Sequence, residues 1–301
     1  MIDNFDTPRK IGSAMVYNVT PVRGGDAYLF VFDDVTFLYD SGYGFSSKKL
    51  YENIVSVLGE RNLDYVLLTH SHYDHALGSA YLSVAFPECK IVGFEYAARV
   101  MLKEGARATM TRLDEAAREL KGYEEPYKHI ENLHIDIPVT DGQKLNLGSL
   151  ECEVISLPGH TRDSVSYYFP SERLMLGCET VGLYAKEGVV MPSFLVGYQM
   201  TLESIDKCST YDIDNYLVPH QGMLSGDEVK DFISNSRVSH EYSCKLITDG
   251  YKAGKSIDEL VDAFSEVYYH EDIHNVYPPA AYSENVHIQI PTILRENGLI
   301  E

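Results

Sequence analysis

The chain has 301 residues, enough for one large domain or two small ones, with the apolar and charged fractions of an ordinary soluble globular protein. Asp and Glu number 45 against 25 Lys and Arg, a formal net charge of −20; such a surface repels phosphate backbones, so nucleic acid is not an expected partner. The N-terminus lacks a basic stretch followed by an apolar one, no apolar run nears the roughly 20 residues of a membrane span, and the five cysteines form no C-x-x-C pair, so a cytoplasmic protein with reduced thiols and no membrane partner is expected.

The first 40 residues read as short strands over 14–19, 27–32 and 35–39, broken at Arg23-Gly24-Gly25-Asp26 and at Asp33-Asp34. Asp40-Ser41-Gly42-Tyr43-Gly44 reads as a turn. A helix capped by Ser46 or Ser47 is predicted to run to about Leu58 and stop at Gly59. A strand over 64–68 follows, then a helix over 77–86 halted by Pro87, then a strand over 90–93. Residues 95–121, rich in Ala, Arg, Glu and Leu, predict two helices. Strands resume near Ile137 and recur over 145–147, 150–156, 164–169 and 173–177. A helix near 202–207 precedes a strand over 216–218, and from Gly226 the pattern is almost wholly helical, with breaks at Gly254 and Pro278-Pro279. Strands in two groups with helices outside them suggest two sheets packed face to face, helices on the outer faces, and a helical tail added to that core.

The densest chemistry is His70-Ser71-His72-Tyr73-Asp74-His75, directly after the apolar run that ends at Leu68. In extended backbone residues i and i+2 point the same way, so His70 and His72 converge on one metal. Asp74 and His75, at the start of the next helix, can turn toward a second. Further candidate donors stand at later strand ends: His160 in Leu157-Pro158-Gly159-His160-Thr161, Glu179 in Gly177-Cys178-Glu179-Thr180, and His220 in Val218-Pro219-His220-Gln221-Gly222.

These motifs resemble the metallo-β-lactamase superfamily. Its H-x-H-x-D-H signature is matched by His70, His72, Asp74 and His75, its Gly-His by Gly159-His160, its acidic bridging position by Glu179 and its last histidine by His220. Asp40-Ser41-Gly42 resembles the family's Asp-x-Gly turn, and the likeness covers about residues 14–222. The insert at 95–121 and the helical tail are similar to the quinolone-signal response, thioesterase-like branch. The resemblance implies an α/β, αββα four-layer sandwich, with a catalytic domain over 1–224 and a helical C-terminal cap over 225–301. It implies that His70, His72 and His160 hold one metal, that Asp74, His75 and His220 hold the other, and that Glu179 bridges them. Two divalent ions are expected, zinc first, with iron and manganese also accepted by such donors. Family members usually carry Asp where this chain has Glu179, one methylene longer; the neighbouring Cys178 is an alternative ligand.

The implied activity is a metal-dependent hydrolase that uses a metal-bound hydroxide on a small ester, thioester or lactone, with Asp74 orienting the hydroxide. A phosphodiesterase would use the same site. A metal-stabilised regulatory protein whose cap binds a partner is the non-enzymatic alternative. A secreted β-lactamase is disfavoured by the absent leader, and a flavodiiron protein by His72 where H-x-E-x-D-H is expected. Asp40, Thr69 and Thr161 are candidates for orienting the imidazoles. His287 is a candidate substrate contact from the cap, and Tyr184, Tyr198 and Tyr277 are candidate pocket residues against the commoner role of packing. A homodimer is also considered.

Overall fold

The computed structural model describes residues 7–274 and 276–301. The chain folds as two compact units: one runs to Ile155 and includes Val165–Leu176, and the other comprises Ser156–Ser164 and Gly177–Glu301. The helices from Asp227 onward share a unit with the strands just before them.

In the first unit, β1 (Arg9–Ile11), β2 (Ala14–Asn18), β3 (Tyr28–Val31), β4 (Thr36–Tyr39), β5 (Tyr65–Leu67), β6 (Lys90–Phe94) and β7 (Ile137–Val139) form a seven-stranded sheet in chain order. Strands β1 to β4 are antiparallel, with short turns between β1 and β2 and between β3 and β4 and a longer loop between β2 and β3. From β4 to β7 the pairing is parallel, which requires longer crossovers. Helices α1 (Ser47–Leu58), α2 (Tyr73–Ala76), α3 (Gly78–Ala85), α4 (Glu95–Met101) and α5 (Glu104–Leu120) lie in those crossovers, and the predicted helical insert is the pair α4 and α5.

Strand alternation sorts the side chains between two faces. Leu29, Leu38, Val66 and Ile91 pack with Leu50 and Ile54 of α1 and Leu82 of α3. Phe30 and Phe37 face the other way, and Phe37 stacks on Phe169 at 5.1 Å between ring centroids. Phe169 belongs to β10 (Val165–Phe169), one of four strands in this unit with β8 (Lys144–Leu147), β9 (Leu150–Ser156) and β11 (Leu174–Leu176), ordered β11-β10-β9-β8. The Tyr167 hydroxyl donates to the Leu68 carbonyl at 2.8 Å, and the Val165 amide to the Thr69 carbonyl at 2.9 Å. Helices, sheet and facing sheet thus form consecutive layers, as the two groups of strands imply.

The second unit holds the hairpins β12 (Leu183–Lys186) with β13 (Val189–Met191) and β14 (Asn215–Val218) with β15 (Gly222–Ser225). Its helices are α6 (Tyr198–Cys208), α7 (Asp227–Lys252), α8 (Ile257–Tyr268), α9 (Glu271–His274) and α10 (Pro279–Glu296). The tail is helical as predicted; it breaks around Gly254 and before Pro279 as expected, and also at Tyr269-His270, which the sequence reading did not mark. Ser256 and Glu259 form a capping box at the start of α8. The Glu296 carboxylate of α10 accepts from the Tyr198 and Gln199 amides at 2.9 and 2.8 Å, which ties α10 to the N-terminus of α6. Strands β1, β12, β13 and β15 escape sequence reading because they are short and lack sustained alternation. Among the described residues, no helix is long and apolar enough to cross a membrane.

Candidate metal centre

In the first unit, β5 is central and buried, so the segment leaving its carboxyl end starts from a rigid base. The Leu68 amide bonds the Val92 carbonyl at 2.9 Å, which carries the strand one residue further. His72 caps α2 in an extended conformation, and Asp74 and His75 lie in that short helix. His70 lies 4.5 Å from His72 between centroids, as residues i and i+2 of extended chain allow, and 4.2 Å from His75 of the short helix.

Asp40 organises these imidazoles. It is fully buried and adopts φ 48°, a conformation uncommon outside glycine and tolerated best by Asp and Asn. Its Oδ2 meets His75 Nδ1 at 2.8 Å. A carboxylate only accepts, so His75 carries its proton on Nδ1 and presents Nε2 as the donor atom. The Thr69 amide donates to Asp40 Oδ1 at 2.8 Å and the Thr69 hydroxyl to Oδ2 at 2.9 Å. With its proton committed there, Thr69 Oγ1 accepts from His70 Nδ1 at 3.0 Å, and His70 too presents Nε2. One buried aspartate thus selects the tautomer of two histidines, the arrangement typical of metal-ligating imidazoles. The Asp40 loop is held by the Ser41 amide, which donates to the His75 carbonyl at 2.7 Å. At Gly78 any side chain would run into the Ser41 carbonyl at 1.9 Å, so only glycine lets the helix approach.

In the second unit, three sequence-distant donors meet. Gly159 allows the chain to pass Thr201, whose hydroxyl would lie 2.2 Å from an added Cβ. His160 follows, its amide bonded to Thr180 Oγ1 at 3.1 Å and its Nδ1 facing Ser193 Oγ at 3.1 Å. Glu179 opens a 3-10 turn over Glu179–Val181 and is buried. Its Oε2 lies 2.8 Å from His160 Nε2, and its Oε1 lies 3.3 Å from His220 Nε2. Tyr277 donates its hydroxyl to the same Oε1. His220 sits in the β14–β15 turn at φ 62°, a left-handed conformation uncommon outside glycine. Gln221 next to it bonds both the amide and the carbonyl of Tyr184 at 2.7 Å.

These contacts fit a metal. Ligand atoms about 2.0–2.1 Å from one tetrahedral ion are themselves roughly 3.3 Å apart, the separation of Glu179 Oε1 from His220 Nε2, while Oε2 and His160 Nε2 are somewhat closer at 2.8 Å. The set is nitrogen and carboxylate oxygen, suited to zinc, iron or manganese. Cys178 stands outside the donor groups: the thiol is fully buried near Cys208 and Tyr216, whose ionisation is disfavoured by burial first and by this neighbour second. Adjacent residues on extended backbone point to opposite sides, so the chain that aims Glu179 at the histidines turns Cys178 into the core.

Thr161 pairs with Ser164 at 2.8 Å and serves its own turn. His287 is exposed on α10, with Nδ1 at 2.7 Å from the Ser283 carbonyl and Nε2 at 3.3 Å from Asp258. The C-terminal residue that reaches the donors is Tyr277, one of three tyrosines that composition alone could not rank. Ser193 carried no sequence signal.

The family model described as "Metallo-beta-lactamase superfamily" matches residues 20–220. The chain is 28% identical over 150 residues to "Glyoxylase B2" of Dictyostelium discoideum, covering 46% of this chain and 44% of that protein. It is 30% identical over 107 residues to "Hydroxyacylglutathione hydrolase" of Legionella pneumophila (strain Paris), covering 36% of this chain and 29% of that one. The chain therefore spans less than half the length of these relatives. A metallo-beta-lactamase family protein from Thermus thermophilus has the same fold, with TM-score 0.65 at 18% identity over 94% of each chain.

Proposed function

Because this chain belongs to the metallo-β-lactamase superfamily, we propose that it is a metal-dependent hydrolase of a small thioester, ester or lactone, with thioesters first. The observation that carries the reading is the donor chemistry. Each unit presents imidazole and carboxylate donors suited to divalent ions: His70, His72, Asp74 and His75 in the first, and His160, Glu179 and His220 in the second. Relatives named for hydroxyacylglutathione hydrolysis favour an acylated thiol as substrate.

Bound divalent ions lower the pKa of a coordinated water to roughly 7 and polarise a carbonyl oxygen. The protein's own groups do the rest. Asp40, directly and through Thr69, keeps Nε2 of His75 and His70 unprotonated and aimed. Ser193 meets Nδ1 of His160 and so fixes that ring. Asp74 is 16% exposed against 3% for His75 and 2% for Glu179; it is the partly exposed carboxylate among the donors, beside the partly exposed imidazole of His72, and would orient an attacking water. Zinc is the first candidate ion, and two per chain the expected number.

The test is metal analysis of purified protein together with hydrolysis of a panel of thioesters, lactones, esters and phosphodiesters. Close to two divalent ions per chain and thioester turnover are expected, with His72→Ala slower by about 100-fold or more, the range seen when a catalytic group is lost. Metal-loaded protein that cleaves nothing in the panel, with His72→Ala indistinguishable from it, would overturn the reading.

A further inference from the structure

We infer that Tyr277 is a positioning residue for Glu179, supplied by the C-terminal helical segment to hold the longer acid that this chain carries at the shared-ligand position. The inference rests on the reading that Glu179 is a metal ligand. The phenol donates to Oε1, the oxygen that also lies 3.3 Å from His220 Nε2, while Oε2 lies 2.8 Å from His160 Nε2. A carboxylate oxygen has two lone pairs, so Oε1 can receive the phenol and still ligate an ion.

Glu has one more rotatable bond than Asp, and fixing it costs more side-chain entropy. A ligand with that freedom needs an anchor on its far end, and the phenol is placed to be one. The anchor is itself rigid. The Tyr277 amide donates to the Ile273 carbonyl at 2.8 Å, and its carbonyl accepts from the Tyr269 hydroxyl at 3.1 Å. Tyr269 in turn stacks on Tyr282 of α10, centroids 4.1 Å apart. Pro278 and Pro279 follow at once, which restricts the backbone of Tyr277 and fixes the entry to α10. The Tyr277 ring stands edge-on to His220, centroids 6.1 Å apart at 62°. A tyrosine that only filled space would not need its hydroxyl on the acid, its carbonyl clamped and two prolines behind it.

The experiment is chelator competition and ion stoichiometry on the full-length protein. Tyr277→Phe keeps the ring and removes only the O–H. One of the two ions should then be held about 10–100-fold more weakly, the usual effect of losing a hydrogen bond to a metal ligand, with the circular dichroism of the fold unchanged. Glu179→Asp shortens the acid out of reach of the phenol, so adding Tyr277→Phe to it should change ion affinity no further, and a double-mutant cycle reads that coupling. If Tyr277→Phe binds both ions like the parent while Glu179→Gln loses one, the positioning role is wrong and the hydrolase reading stands. If the parent protein itself retains no divalent ion, the hydrolase reading and the inference fall together.

Discussion

Asp40 shows how much chemistry one side chain can settle. It lies 35 residues from His75 in sequence and 2.8 Å from it in space, and through Thr69 it also sets the proton of His70. Its left-handed backbone is an observed departure from common geometry, kept where the surrounding bonds over-determine it. Asp40→Asn preserves the size but replaces one acceptor by an N–H donor facing groups that already donate. Metal affinity is expected to fall about 10–100-fold, and stability by about 1–3 kcal/mol for the unsatisfied buried pair. Chelator competition and urea unfolding measure the two; an Asp40→Asn protein that held metal as the parent does would refute the tautomer-setting role.

At the scale of elements, the site is built by helices that look peripheral in sequence. Helix α5, from the insert, sends Asp114 to accept the amides of Gly44 and Phe45 at 2.8 and 3.1 Å, just beyond the Asp40 turn. Helix α7 bonds the Val181 carbonyl through Ser236 and so steadies the turn that carries Glu179. Burial pushes the Asp114 carboxyl from its ordinary 3.8 up to about 7, against the pull of the two amides. The folded-state value is above the unfolded one, so the folded protein binds the additional proton between the two. The stabilisation linked to that proton is complete below pH ~4 and is lost as pH rises through about 7. Urea unfolding at pH 5 and pH 8 should show the parent losing more stability than Asp114→Asn, by at most about 2–3 kcal/mol, since only the two pH units from 5 to about 7 fall in that window; equal losses would contradict it. Local composition and pattern revealed both helices, because such signals need only neighbouring residues. They were silent on which residue of α5 or α7 turns inward to bond a loop, because Asp114 and Ser236 look like any polar residue of a solvated face.

For the whole molecule, the net charge of −20 bears on what reaches the site. A strongly negative surface slows the approach of anions, and salt shortens the reach of that field from about 30 Å at 0.01 M to about 8 Å at 0.15 M. For an anionic thioester kcat/KM is expected to rise over this range, and for a neutral ester to stay level; steady-state kinetics on the pair decides, and an equal response of both would count against steering. Charge, the sandwich of sheets and helices, and the hexad from His70 to His75 were all determined by the sequence alone, since each depends on composition or on neighbours a few residues apart. The likeness to a known family extended that to His160, Glu179 and His220. Only the tertiary structure decided which partners complete them: Asp40 on His75, Ser193 on His160, Tyr277 on a glutamate 98 residues away, and His287 turned to Asp258 on the exposed side of α10. Such hydrogen bonds join groups far apart along the chain, and no local spacing encodes them; they exist only once the backbone has closed and a buried carboxylate must find donors.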